Sequence, residues 1–75
     1  GKRYTILGLL KEKTRTLTEL SRMLNIKKST TFGHLKRLKE QGLIQLDINQ
    51  RVNQDIHLSQ TGNIFLSLSE AAING

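Results

Sequence analysis

Residues 17–44 read LTELSRMLNIKKSTTFGHLKRLKEQGLI, and this stretch decides the fold. Leu17, Leu20 and Leu24 recur at the spacing of one face of a helix. Thr18 is the expected N-cap, and Glu19 sits where the positive end of a helix dipole favours an acid. Asn25 suits the left-handed residue that ends such a helix. A second helix is expected from about Lys28 to Gln41, burying Thr31, Leu35 and Leu38 and stopping at Gly42. Its other face presents Ser29, Thr30, Gly33, Lys36, Arg37 and Glu40, with Phe32 and His34 at the two boundaries.

Working outward, Arg3–Lys13 places Ile6, Leu7 and Leu10 on one helical face with Leu9 at its edge, and Thr14-Arg15-Thr16 interrupts it. After Gly42 the period changes to two. Ile44, Leu46 and Ile48 alternate with polar residues, and Val52, Ile56 and Leu58 share their parity. With Asn49-Gln50-Arg51 as the tip, a hairpin sets Ile48 opposite Val52 and Ile44 opposite Ile56, and Asn49 or Asn53 supplies a left-handed turn residue. A last helix is expected from Ser59 or Gln60 to about Ile73, with Ile64, Phe65, Leu68, Ala71 and Ala72 as its core face. The class is α+β, mostly helical: a three-helix core, a hairpin and a C-terminal helix, in one domain over residues 1–75.

The 75-residue chain has no cysteine and no proline, which excludes a disulfide scaffold, thiolate zinc and cysteine catalysis. No apolar run approaches the roughly 20 residues of a membrane span, so the expected compartment is the cytoplasm. The chain opens on Gly1-Lys2-Arg3, the start expected of an expression remnant or of a piece of something longer. Apolar residues are 36% of the chain, and so small a domain buries only about 60% of what its unfolded chain exposes, so helix packing or a second copy must add to the core.

Charge is unevenly placed. Residues 1–51 hold all 12 Lys and Arg against four acids, a net +8, whereas residues 52–75 hold only Asp55 and Glu70, a net −2. Leu20 to Lys39 contains Arg22, Lys27, Lys28, Lys36, Arg37 and Lys39 and no acid. Such polarity points to a polyanion on one face. Enzyme chemistry finds no support: His34 and His57 lie on different elements, and neither Ser29 nor Ser59 has a His–acid pair to activate it. No Gly-rich phosphate loop follows a strand, and no cofactor, metal or small-molecule ligand is expected.

The 17–44 stretch, above all Leu35-Lys-Arg-Leu38 with Gly42-Leu-Ile44, resembles the winged helix-turn-helix domains of MarR-like and ArsR-like regulators. The step Ile56-His-Leu-Ser-Gln-Thr-Gly62 is similar to the passage from the second wing strand into the next helix of MarR-like proteins. The resemblance implies a helix-turn-helix at about 17–41, a wing at about 43–58 and a C-terminal helix at about 60–73. It implies a transcriptional regulator that binds double-stranded DNA as a homodimer. An ArsR likeness would also imply metal sensing, for which the sequence offers no Cys and no His/Asp cluster.

On that reading Lys27, Lys28, Ser29 and Thr30 open the recognition helix, whose amides and dipole suit a phosphate. Gly33, Lys36 and Arg37 follow on the same face, and Arg51 reaches the backbone or minor groove from the wing. Arg37 is placed for a bidentate guanine contact or for the backbone. Phe32-Gly33 departs from the polar pair the family often has there. Phe32 is either a core-edge residue or an exposed contact, and Gly33 either admits DNA backbone closely or marks a helix that no longer reads bases. Leu66 and Ile73 form a second stripe on the last helix, and with Tyr4 and Gly8 they are the expected dimer interface. The rival is a winged-helix interaction module, or a domain of a larger replication, transcription or scaffold protein.

Overall fold

A computed structural model describes residues 1–50 and 54–74, the last two as backbone only. In chain order the elements are α1 (Lys2–Glu12), α2 (Leu17–Leu24), α3 (Lys28–Glu40), β1 (Ile44–Gln45), β2 (His57–Leu58) and α4 (Gln60–Asn74). This is a winged helix-turn-helix: helices dominate, and β1 and β2 pair antiparallel.

The three leading helices bury the faces expected of them. Ile6, Leu7 and Leu10 of α1, Leu17 and Leu20 of α2, and Leu35 and Leu38 of α3 join Leu43, Ile44, Leu46, Ile56 and Leu58 of the hairpin in one cluster. Phe32 belongs to the same core at 5% exposure, so of its two readings the core one holds. Asn25 ends α2 at φ 56°, and Gly42 follows α3 at φ 75°, the left-handed region a glycine enters without steric cost.

Three local expectations are corrected. The cap of α2 is Thr16, not Thr18: Thr16 and Glu19 form a reciprocal capping box, in which each side chain accepts the other's backbone N–H. The hairpin register is shifted by two residues, pairing Ile44 with Leu58 and Gln45 with His57. An even shift keeps every apolar side chain on its face, so the core is unchanged while Ile48 is left outside it, 47% exposed. Val52 and the Arg51 tip lie outside the described residues. Third, Arg15 is more than an interruption. Its N–H donates to the Ile56 carbonyl at 3.1 Å and its carbonyl accepts from the Ile56 N–H at 2.8 Å, extending the sheet beside β2 by one residue.

The C-terminal helix turns a different face inward. Leu66, expected on the outward dimer stripe, is 2% exposed, whereas Ile64, Phe65 and Leu68, expected in the core, are 54, 42 and 67% exposed. The rotation of α4 is set at its first turn. The Ser59 N–H donates to the Leu43 carbonyl at 3.0 Å, and Ser59 Oγ donates to the Gly42 carbonyl while accepting the Gly62 N–H at 2.9 Å. Gly62 is thereby pressed on Leu43: a Cβ there would fall well inside contact distance of the Leu43 carbonyl oxygen and 3.0 Å from its carbon. With α4 docked this way Leu66 points into the core, and Lys11 of α1 pairs with Glu70 at 2.8 Å.

Gly62→Ala must displace backbone, and overpacking of this kind costs about 1–3 kcal/mol, so thermal denaturation should show Tm lowered by roughly 5–20 °C. Gly33→Ala is the control. A Cβ at Gly33 meets nothing within 4 Å, and removing a helix-interior glycine should raise stability by about 0.5–1 kcal/mol.

Candidate nucleic-acid interface

The angle between α2 and α3 decides which residues the second helix offers to solvent, and a buried chain of hydroxyls holds it. Ser21 Oγ donates to Thr31 Oγ1 at 2.9 Å, and Thr31 Oγ1 donates to the Lys27 carbonyl at 3.0 Å. Ser21 and Thr31 are both buried, so the Ser21 hydroxyl would carry a desolvation cost without Thr31 to accept from it. The turn between the helices is closed by the Asn25 N–H on the Arg22 carbonyl and the Ile26 N–H on the Ser21 carbonyl.

With Thr31, Leu35 and Leu38 held inward, Lys27, Lys28, Ser29, Thr30, Gly33, Lys36 and Arg37 all stand exposed. Every expected contact residue except Arg51, which lies outside the described residues, is thus exposed: Lys27 and Lys28 at the start of α3, and Ser29, Thr30, Gly33, Lys36 and Arg37 along its outer side. Helical spacing orders them. Ser29, Gly33, Lys36 and Glu40 run along the middle of the face, and Thr30 and Arg37, seven apart, along one edge. Lys39 lies toward the opposite edge, where its Nζ donates to the Leu46 carbonyl at 2.7 Å and ties α3 to the base of the hairpin. That hairpin is clamped further out by one side chain: Gln54 accepts the Asp47 N–H at 3.0 Å and donates to the Asp47 carbonyl at 2.8 Å.

Sequence reasoning missed how cations divide between internal and outward use. Arg15 is buried, capping the Leu9 carbonyl at 3.2 Å and pairing with Glu12 at 2.8 Å, and Lys11 is paired with Glu70. Among the described residues no acid pairs with Arg22, Lys27, Lys28, Lys36 or Arg37. It also missed Arg3, which lines a groove with Thr30, Gly33, His34 and Arg37. One signal was available: α1 has no acid in its first turn and carries Lys2 and Arg3 there, against the preference of the helix dipole.

Of the expected dimer residues, Tyr4 is exposed, Gly8 is half-buried and Leu66 is internal; the Ile73 side chain lies outside the described residues. Tyr4 and Phe65 share a depression lined by α1, by His34 and Leu38 of α3 and by Leu43. No helix among the described residues is long and apolar enough to cross a membrane. No group of three His, Cys, Asp or Glu gathers among them, and His34 and His57 sit on separate elements.

A helix pair with a short turn and a hairpin against the second helix define a winged helix-turn-helix domain of the regulator type. The family model described as bacterial regulatory protein, arsR family, matches residues 1–45, and the chain belongs to that family, one of transcriptional regulators and not of enzymes. No protein of curated function matches the sequence. Among solved structures, the adhesin competence repressor AdcR of Streptococcus pyogenes is similar over 99% of this chain and 56% of its own, with a TM-score of 0.79 at 21% identity. NMB1585, a MarR family regulator from Neisseria meningitidis, is similar over 97% of this chain and 54% of its own, with a TM-score of 0.75 at 28% identity. The chain thus spans little more than half the length of the regulators it matches.

The capping box makes α2 sensitive to acid. The Thr16 N–H bonded to the Glu19 carboxylate at 2.9 Å, with further help from the Thr16 hydroxyl and from Lys13 and Arg15, lowers the Glu19 pKa below its ordinary 4.5. A lowered folded pKa adds stability above the unfolded value that is lost as pH falls through the folded one. Urea denaturation at pH 7 and at steps below pH 4.5 should show a shallower acid loss in Glu19→Gln, which keeps an acceptor but has no proton to gain. Equal slopes would remove the assignment.

Proposed function

We propose that this protein binds duplex DNA as a transcriptional regulator, with α3 in the major groove and the hairpin on the adjacent backbone or minor groove. The observation that carries this reading is the exposed face of α3, where Lys36 and Arg37 stand beside Ser29, Thr30 and Gly33 with no acid partner among the described residues, and Lys27 and Lys28 are exposed at its start. A helix is the element that fits a major groove, and unpaired cations around it release counterions from phosphates. Lys27 and Lys28 with the first amides of α3 suit one phosphate, Lys36 faces the base edges, and Arg51 extends the contact from the wing. A cytoplasmic location goes with this role.

The same reading makes the protein a homodimer, through a face that differs from the expected one. Ile64, Phe65, Leu68, Ala71 and Ala72 form an outward apolar stripe on α4, with Tyr4 adjoining it at the shared depression. A stripe of core composition on a chain with so thin a core is suited to a second copy of itself, related by a two-fold axis. Leu66 has no part in it. The rival reading of a protein-binding module has no exposed Phe32 to use, since Phe32 is 5% exposed.

Fluorescence anisotropy against random duplex should show that a dimer neutralising about 6–10 phosphates loses about 10³–10⁵ in affinity between about 50 and about 200 mM salt. No binding at the lower salt would remove the DNA reading in favour of the module. In sedimentation equilibrium the unaltered chain should dimerise at micromolar concentration and Leu68→Glu should not, while both keep the same circular dichroism. A strictly monomeric unaltered chain would remove the dimer.

A further inference from the structure

The groove between the first turn of α1 and the edge of α3 is lined by Arg3, Thr30, Gly33, His34 and Arg37. It lies on the opposite edge of the α3 face from Lys39 and the hairpin. Two guanidinium side chains from different helices share it, and no carboxylate pairs with either among the described residues. Two cations that line one groove without a counter-charge favour an anion in it. Thr30 adds a hydroxyl donor at the rim.

Gly33 points the same way. Nothing in the chain approaches within 4 Å of where its Cβ would be, so packing does not call for a glycine, and in a helix interior it lowers stability. The helix backbone at Gly33 is therefore open to close approach by a group from outside the chain. Arg3 completes the case, since a cation in the first turn of a helix is opposed by the dipole and gains nothing for α1 itself.

We infer that the Arg3–Arg37 groove is a phosphate site that holds one backbone phosphodiester of duplex DNA on the flank of α3 away from the wing. This rests on the DNA-binding reading above and deepens it. The recognition helix is then bracketed, with the hairpin on one strand and the first turn of α1 on the other. Arg37 acts as a backbone clamp rather than a guanine reader, leaving Ser29 and Lys36 nearest the bases. The fork of each guanidinium suits two phosphate oxygens, which a lysine would meet only as a point charge.

Anisotropy titrations of the full chain with random duplex over a salt series test this. With a slope of about −0.9 per phosphate and a 1 M reference, Arg3→Ala should weaken binding about eightfold per protomer at about 0.1 M salt and shrink the slope by about 0.9. Arg37→Ala should do the same on every sequence. Because both serve one phosphate, the double variant should lose about eightfold again in total, not about sixty-fold. Gly33→Ala should weaken binding while raising Tm, which a merely structural role would not do. Lys13→Ala removes an equal charge from the other end of α1 and should change little. If Arg3→Ala matches Lys13→Ala while the unaltered chain binds normally, or if the double losses multiply, the shared phosphate site is overturned and the DNA reading stands. If the unaltered chain binds no duplex, both fall.

Discussion

The Ser21–Thr31–Lys27 chain of hydroxyls is the constraint on which the functional surface depends. Apolar packing between α2 and α3 specifies that the helices touch, but leucines tolerate sliding and rotation. A hydrogen bond between two buried hydroxyls does not, because Ser21 must find Thr31 at a fixed distance and direction. Their bonds at 2.9 and 3.0 Å fix Thr31 as the inward pole of α3. Everything about the outward pole follows by helical geometry, including which cations stand together and which glycine is bare.

Much of this fold was legible because most of its elements bury one face and wet the other. The stripes Ile6-Leu7-Leu10, Leu17-Leu20 and Thr31-Leu35-Leu38 each have polar residues opposite, so periodicity alone orients the helix. The last helix breaks that condition. Ile64, Phe65 and Leu68 compete with Leu66, and a pattern apolar on two sides cannot say which side faces in. Gly62 decides it, through a backbone approach to Leu43 that no periodicity encodes. The two-residue register shift was invisible for a related reason, since both registers keep the same faces buried. The cap of α2 was legible and passed over: Thr16 with Glu19 is the capping-box signature, and Thr18 is not.

The candidate site was legible in its members and not in its limits. Charge counting gives residues 1–51 a net +8 but treats all cations alike. In three dimensions Arg15 stitches α1 to its own C-terminus, Lys39 holds the hairpin and Lys11 ties α1 to α4. These cations serve the fold. Of the cations left outward, Lys28, Lys36 and Arg37 belong to α3 and Lys27 to its cap, and Arg3, about thirty residues earlier in the chain, shares a groove with Arg37. Pairing and distance between elements made that selection, and neither is written in local sequence.

The clamp formed by Gln54 on Asp47 carries a consequence for how such proteins diverge. One side-chain amide occupies the place that a peptide group of a longer strand would fill, donating to and accepting from the same residue. The paired ladder ends well before the tip, at Gln45 and His57. Gln54 and Asp47 therefore join the two arms of the hairpin through a side chain and not through a strand ladder. The buried cluster reaches only Leu46 on one arm and Ile56 on the other, so changes of length between Asp47 and Gln54 can accumulate without refolding the core.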